Sequence, residues 1–203
     1  ANYNVGIGAN ALGVNTTGTQ NTAVGTFALD ANTTANSNAA FGYSALTSNT
    51  TGTLNVAIGN NALANNTTAS DNTAVGTGAL FDNTTGTRLV AVGRDALVNN
   101  TTGVDNVAVG RYALRDNTTT SNNVAMGTNA LVHNIASNNN AFGSYALDAN
   151  TTGSACNAFG LGALGKNTTA SNNTAVGHEA LAENTTGTIN TAVGRTALKL
   201  NTT

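Results

Sequence analysis

The segment Asn72-Thr73-Ala74-Val75-Gly76-Thr77-Gly78-Ala79-Leu80-Phe81-Asp82-Asn83-Thr84-Thr85-Gly86-Thr87-Arg88 sets the architecture, because the chain is this unit written twelve times over. Its glycine at position 5 marks the register. Gly8, Gly25, Gly42, Gly59, Gly76, Gly93, Gly110, Gly127, Gly143, Gly160, Gly177 and Gly194 are spaced by 17 residues, except for the 16 between Gly127 and Gly143. Counted from its first Asn, the unit reads N-T-A-V-G-x-x-A-L-x-x-N-T-T-G-x-x. Copies begin near Asn4, Asn21, Asn38, Asn55, Asn72, Leu89, Asn106, Asn123, Asn139, Cys156, Asn173 and Asn190. Four columns never vary: Gly at position 5, Ala at 8, Leu at 9 and Asn at 12.

The charges show that this period is structural. All 16 charged residues fall at positions 6, 7, 10, 11 or 17, as Arg94, Asp95, Arg115, Asp116 and Asp105 illustrate. A disordered tract has no reason to keep charge out of particular columns. The uncharged columns are therefore committed to packing or backbone geometry. Residues 1–203 read as one continuous repeat array. Joining Thr203 to Ala1-Asn2 would restore the register of Asn32-Thr33-Thr34-Ala35-Asn36-Ser37-Asn38, and neither end looks like a capping repeat. The array is expected to be a segment of a longer fibre, or a unit that stacks end to end.

Composition removes whole classes of protein. With 35 Asn, 36 Thr and 23 Gly, all at the weak end of helix propensity, no stretch between them is long enough to sustain a helix of ordinary length. A net charge of −2 gives no field for nucleic acid or anionic lipid. One cysteine and two histidines build neither a disulfide framework nor a Cys/His zinc cluster. There is no run of 18 apolar residues, so no helical membrane insertion is expected. No cofactor is implied.

Seventeen residues are too few for a pair of helices, and the natural unit is one coil of a parallel β-solenoid, an all-β fold. Positions 1 to 4 are predicted as a strand. Position 4 is always large and apolar, from Ile7 and Val24 to Phe159 and Val193, so it is expected to point inward together with position 2. Ala at position 3 then lies on the opposite face, suited to close packing against an identical chain. Gly at 5 makes a bend, Ala-Leu at 8 and 9 a second short strand, and Gly at 15 a left-handed turn. Asn at 12 can bond nearby backbone or its stacked equivalent. Twelve coils at about 4.8 Å each make a rod of roughly 58 Å. Two large apolar residues per coil contribute about 1.5 to 3 kcal/mol each, against an ordering cost of about 1 to 2 kcal/mol per residue, which favours association of several chains.

The unit Asn72-Thr73-Ala74-Val75-Gly76-Thr77-Gly78-Ala79-Leu80 resembles the head repeats of trimeric autotransporter adhesins. It is similar also to the N-T-A-x-G…A-L…N-T-T-G arrays of bacterial and phage tail-fibre-like proteins. The resemblance covers the whole chain. It implies a left-handed β-roll, three chains side by side as a homotrimer, and an extracellular location on a cell surface, secreted filament or virion fibre. The 17-residue period and the longer N-T-T-G turn depart from the adhesin pattern, and no coiled-coil stalk or membrane anchor accompanies the repeats.

Candidate sites are few. The N-T-T at positions 12 to 14 is a glycosylation sequon at Asn15, Asn32, Asn49, Asn66, Asn83, Asn100, Asn117, Asn150, Asn167, Asn184 and Asn201, and fails at Asn134-Ile135-Ala136. The same asparagines can instead be turn residues. Stacked Thr raise ice binding as an alternative function, although Thr at position 16 occurs only in copies such as those holding Thr19, Thr53, Thr87 and Thr188. His133, His178 and Cys156 have no partner at a catalytic or metal-ligand spacing. Tyr43, Tyr112, Tyr145 and Phe27 sit at the bend, where they could meet a receptor or its glycan. The residues thus point to a non-catalytic structural or adhesive fibre, with self-association and a host-surface receptor as its partners.

Overall fold

The computed structural model describes residues 3–203. Position 2 to position 4 of every copy forms a three-residue strand: β1 (Val5–Ile7), β2 (Thr22–Val24), β3 (Ala39–Phe41), β4 (Val56–Ile58), β5 (Thr73–Val75), β6 (Val90–Val92), β7 (Val107–Val109), β8 (Val124–Met126), β9 (Asn140–Phe142), β10 (Asn157–Phe159), β11 (Thr174–Val176) and β12 (Thr191–Val193). They join into a single parallel sheet in sequence order. Each residue pairs with its equivalent in the next coil, as in Thr73↔Val90, Ala74↔Ala91 and Val75↔Val92. The chain is therefore a parallel β-solenoid of coils of about 17 residues. The predicted junction of Thr203 with Ala1-Asn2 falls on residues outside those described.

Backbone hydrogen bonds run from coil to coil all around the section. Position 2 donates forward, from Thr73 N to the Leu89 carbonyl at 2.8 Å, and position 5 donates backward, from Gly76 N to the Ile58 carbonyl at 2.7 Å. The single-residue deletion in the eighth copy leaves this ladder whole, with Val124 paired to Asn140 and Met126 to Phe142. The N-T-T-G turn absorbs it.

The Ala-Leu leg corrects one expectation. It is a turn, not a second strand, and its backbone is left-handed at positions 7 and 9. All twelve leucines of position 9, from Leu12 to Leu198, have φ between 48° and 56°. A left-handed non-glycine residue costs about 1 to 2 kcal/mol. It persists because the conformation turns the leucine into the interior, where Leu29 to Leu181 are fully buried, while its N–H still reaches the next coil, as Leu80 N does to the Ala96 carbonyl at 3.0 Å. A second correction concerns position 15. The left-handed residue of that turn is at position 17, for example Arg88 at 56° and Asp105 at 57°, and Ala35, Ala69 and Ala170 occupy position 15 without strain of that kind.

The third correction reverses the faces of the strand. Ala at position 3 is buried to 0% exposure from Ala23 to Ala175, packed with Ala at 8 and Leu at 9 in one core cluster. Position 4 faces outward, with Phe41, Met126 and Phe159 each 40% exposed. The space inside so small a coil accepts one methyl opposite each leucine and nothing larger. The alanine face is thus the core and cannot be the contact between chains. The chain exposes 8008 Å², below the roughly 8,700 Å² of an average globular monomer of its mass. One chain closes its own core, and burial alone supplies no requirement for partners.

The rest of the interior is polar. Asn at positions 1 and 12 forms two buried ladders that meet at the carbonyl of position 15. Asn38 and Asn49 both donate to the Gly52 carbonyl at 2.9 Å. Asn49 also donates to Asn32 Oδ1 at 3.3 Å and accepts from Asn66 at 2.9 Å, and Asn38 Oδ1 accepts the Asn55 backbone N–H at 3.0 Å. Apart from Asn190 Nδ2 in the last copy, the buried amide atoms of these two columns find partners, which is the condition for burying them. Beside the shortened copy the Thr120 hydroxyl donates to Asn117 Oδ1, and within it Asn134 turns to the Ala136 carbonyl at 2.6 Å.

Candidate functional site

Function has to be sought in the columns that look outward. Positions 2 and 4 of the sheet make two parallel columns that carry no charge in any copy. Val, Ile, Phe and Met fill most of them, with Thr22, Thr73, Thr174, Thr191, Asn140 and Asn157 the polar members. The side chains stack at the strand spacing: the Phe142 and Phe159 rings lie parallel with centroids 4.8 Å apart. Charged residues begin only at the margins, with Arg94, Arg111, Glu179 and Arg195 past the Gly bend and Asp71, Arg88 and Asp105 before the strand. The margin pairs with itself, as in Arg88–Asp105 at 2.6 Å.

The sequons lie elsewhere and mostly inside. Asn32, Asn49, Asn66, Asn83, Asn100, Asn117, Asn150, Asn167 and Asn184 have 0% exposure. Asn15 and Asn201 are partly exposed, and their Nδ2 atoms bond the carbonyls of Gly18 and Thr203. A glycan on any of the nine buried amides would displace bonds that hold two coils together. The folded coil gives these asparagines a structural role.

The threonines divide by column. Position 13 donates its hydroxyl to the next coil's carbonyl, as Thr84 does to Thr101 at 3.1 Å. At position 16 a Ser or Asn side chain accepts the N–H of the preceding coil, as Ser70 does from Thr53 at 2.9 Å, whereas the Thr19 hydroxyl donates to Asn36 Oδ1 at 2.9 Å. Position 14, including Thr34, Thr68 and Thr102, stands exposed with its hydroxyl in no bond, as does Thr188 at position 16.

The remaining candidates disperse over the rim. Asp116 bonds Arg115 at 2.8 Å and His133 at 2.8 Å, and its carboxyl is held below its ordinary range first by Arg115 and then by His133, against the opposing effect of burial. Burial pushes nearby Asp148 upward. Glu179 pairs with Lys199 at 2.6 Å instead of its neighbour His178. Phe27 packs edge-on to Tyr43 at 6.0 Å, and Arg111 lies 4.4 Å over Tyr112, while Tyr145 is 47% exposed. Among the described residues, no group of three or more His, Cys, Asp or Glu is placed to hold a metal ion. Among them, too, no helix is long and apolar enough to cross a membrane.

Cys156 takes over the amide of position 1: it is buried, and its Sγ–H donates to the Ala170 carbonyl at 3.3 Å. Burial pushes the thiol above its ordinary pKa. A water-soluble maleimide is expected to leave the native protein unlabelled and to take one equivalent after denaturation. Rapid labelling of the native chain would place the thiol outside the core.

The outward columns are hard to recognise as a surface from sequence, because their apolar content reads as core. The one signal for the true orientation is variability: position 2 accepts Val, Thr, Ala and Asn, whereas position 3 accepts only Ala and, once, Gly6. No protein-family model matches the chain, and no curated protein or solved structure matches it either.

Proposed function

We propose that the chain is a non-catalytic structural and adhesive segment of an extracellular fibre, in which copies lie side by side through the exposed sheet face, most simply as a homotrimer. One observation carries this reading: an uncharged, half-exposed and mostly apolar strip runs the length of the rod. Contiguous apolar surface of that extent marks an interaction site. Twelve strands at about 4.8 Å by three residues at about 3.3 Å give roughly 580 Å² per face. Two such faces bury about 1,150 Å², enough for a specific interface. A second copy is the occupant whose ridges repeat at the same spacing along the whole length. The exposed Tyr43 and Tyr145 near the bend remain for a receptor or its glycan.

The ice-binding alternative draws less support, because the hydroxyls of position 13 are spent on the backbone, position 16 is Thr in only four copies, and one continuous threonine column does not make a two-dimensional array. Sedimentation velocity tests the main reading. The protein is expected as a trimer at micromolar concentration, and Val75→Glu with Val92→Glu, on two outward positions, is expected to give monomers with an unchanged β-type circular dichroism spectrum. A monomeric parent protein would overturn the self-association.

A further inference from the structure

A perfectly periodic face has a difficulty that this one resolves. If every coil presented the same side chains, two rods could slide past each other by one coil, about 4.8 Å, and lose only the contacts of the overhanging ends. Many registers would then have similar free energy. The face is not uniform, however. Position 2 carries Val, Thr or Ala in ten copies and Asn in two adjacent ones, Asn140 on β9 and Asn157 on β10. Asn140 Nδ2 donates to Asn157 Oδ1 at 2.8 Å, and both side chains are half-buried on the outer face. That bond leaves the Asn140 Oδ1 acceptor and the Asn157 Nδ2 donors without a partner in their own chain. The stacked Phe142 and Phe159 sit beside them in the same two coils.

Resting on the side-by-side association proposed above, we infer that Asn140 and Asn157 fix the axial register and parallel direction of the assembled chains. Around a threefold axis beside the position-2 column, the open acceptor and donors of one parallel, aligned chain meet their counterparts on its two neighbours. A slide of one coil sets one asparagine of each chain against Val124 or Thr174, a slide of two or more sets both against Val, Thr or Ala of other copies, and an antiparallel pair sets them against coils three and four, where position 2 is Ala39 and Val56. Each mismatch buries polar groups without partners, and such a penalty selects one arrangement among otherwise similar ones. A single polar position in an apolar seam sets register in coiled coils by the same logic. The seam here consists of stacked strands.

The substitutions that test this are mild. Val already occupies position 2 in β1, β4, β6, β7 and β8, so Asn140→Val with Asn157→Val restores the commonest residue and is expected to keep the fold and its melting temperature. Register is read by cross-linking. Thr22→Cys and Thr73→Cys, each made singly on Cys156→Asn, place one thiol on the outer face in coil two or coil five, about 14 Å apart along the axis. The two proteins are mixed, allowed to re-associate and treated with a short bismaleimide.

With both native asparagines, like-to-like products (22 with 22, 73 with 73) are expected to dominate, and mixed products to stay at least tenfold below them. In the double Val background, mixed products are expected to rise at least fivefold while sedimentation shows the same oligomer. Oligomers whose cross-link pattern is unchanged by the Val substitutions, or that give no like-to-like product with the asparagines in place, overturn the register role and leave the association standing. Monomers throughout overturn the association itself.

Discussion

Gly76→Ala, like the same change at the other position-5 glycines, is expected to unfold the central coils or to lower stability by about 3 to 5 kcal/mol. Gly76 has φ 135°, a region of backbone space that L side chains rarely adopt. A Cβ there would also lie 2.6 Å from the Gly93 carbonyl oxygen and 3.2 Å from Arg94 N, the backbone of the next coil. Neither neighbour is a flexible side chain that could move aside. The strain and the clash fall together on the column whose N–H, at 2.7 Å from the Ile58 carbonyl, carries the ladder around the bend.

Gly86→Ala is the control. A Cβ at Gly86 would crowd the Gly103 carbonyl and lie 2.5 Å from Asn83 Oδ1, a conflict as severe as that at Gly76. Yet its φ is not left-handed, and the same column holds Ala35, Ala69 and Ala170. The backbone there can shift to admit a methyl, and a loss of about 1 kcal/mol, the centre of the range for point substitutions, is expected. Urea unfolding of the two variants separates the explanations. Equal losses would mean that crowding alone governs both columns; a small loss at Gly76 would mean that the bend does not need its positive φ.

Asn83→Leu is expected to cost about 2 to 4 kcal/mol even though it makes the core more apolar. Asn83 donates to Asn66 Oδ1 at 3.0 Å and to the Gly86 carbonyl at 3.0 Å, and accepts from Asn100 at 2.9 Å. Leucine orphans the Asn66 oxygen inside the protein and takes one of two acceptors from Asn100. The Gly86 carbonyl keeps Asn72 at 2.9 Å. The position-1 ladder is more forgiving, since Leu89 and Cys156 interrupt it naturally and their N–H groups still reach Asn72 and Asn139 at 3.0 Å. Asn72→Leu is therefore expected to cost less than Asn83→Leu, and the reverse order in urea unfolding would refute the ladder of position 12 as the principal buried network.

Asn83→Asp refines the same prediction through pH. A carboxyl that is buried and faces Asn66 Oδ1 is held protonated, so its folded pKa lies above its unfolded value of about 3.9. Protonated, it can still donate one hydrogen bond. Its contribution is present below about pH 3.9 and is lost as the pH rises through the folded pKa. The variant is thus expected to melt closest to the parent protein in acid and to fall furthest below it at neutral pH.

The coil, its length and the strand before the invariant glycine are legible in the sequence because each is a matter of period. The invariant glycine of position 5 announces a backbone that no other residue adopts, and the confinement of Arg and Asp to five columns announces which parts meet water. The invariant asparagine of position 12 announces its ladder, since a polar side chain kept in every copy either bonds its neighbours or faces a partner. The sequon pattern misleads because bonding those neighbours removes the amide from solvent. The left-handed leucines leave no trace, because Leu is the last residue that propensity assigns to that conformation. Asn140 and Asn157 are visible only as two departures from Thr or Val at position 2, and their meaning depends on the face to which that column belongs.

Periodicity and backbone restriction are properties of the chain, so a repeating coil with a parallel strand before the glycine bend and an asparagine turn follows from the residues alone, whereas the second strand expected at Ala-Leu does not form. Which face of the strand became the core was settled only when the coil closed. Alternation separates Ala74 from Thr73 and Val75 but does not say which set lies inside. The hydrophobic effect favours burying the valine. The narrow section of a 17-residue coil, filled by Ala79 and Leu80 from the opposite leg, admits only the alanine, and steric exclusion in so small an interior outweighs the transfer free energy of the larger side chain.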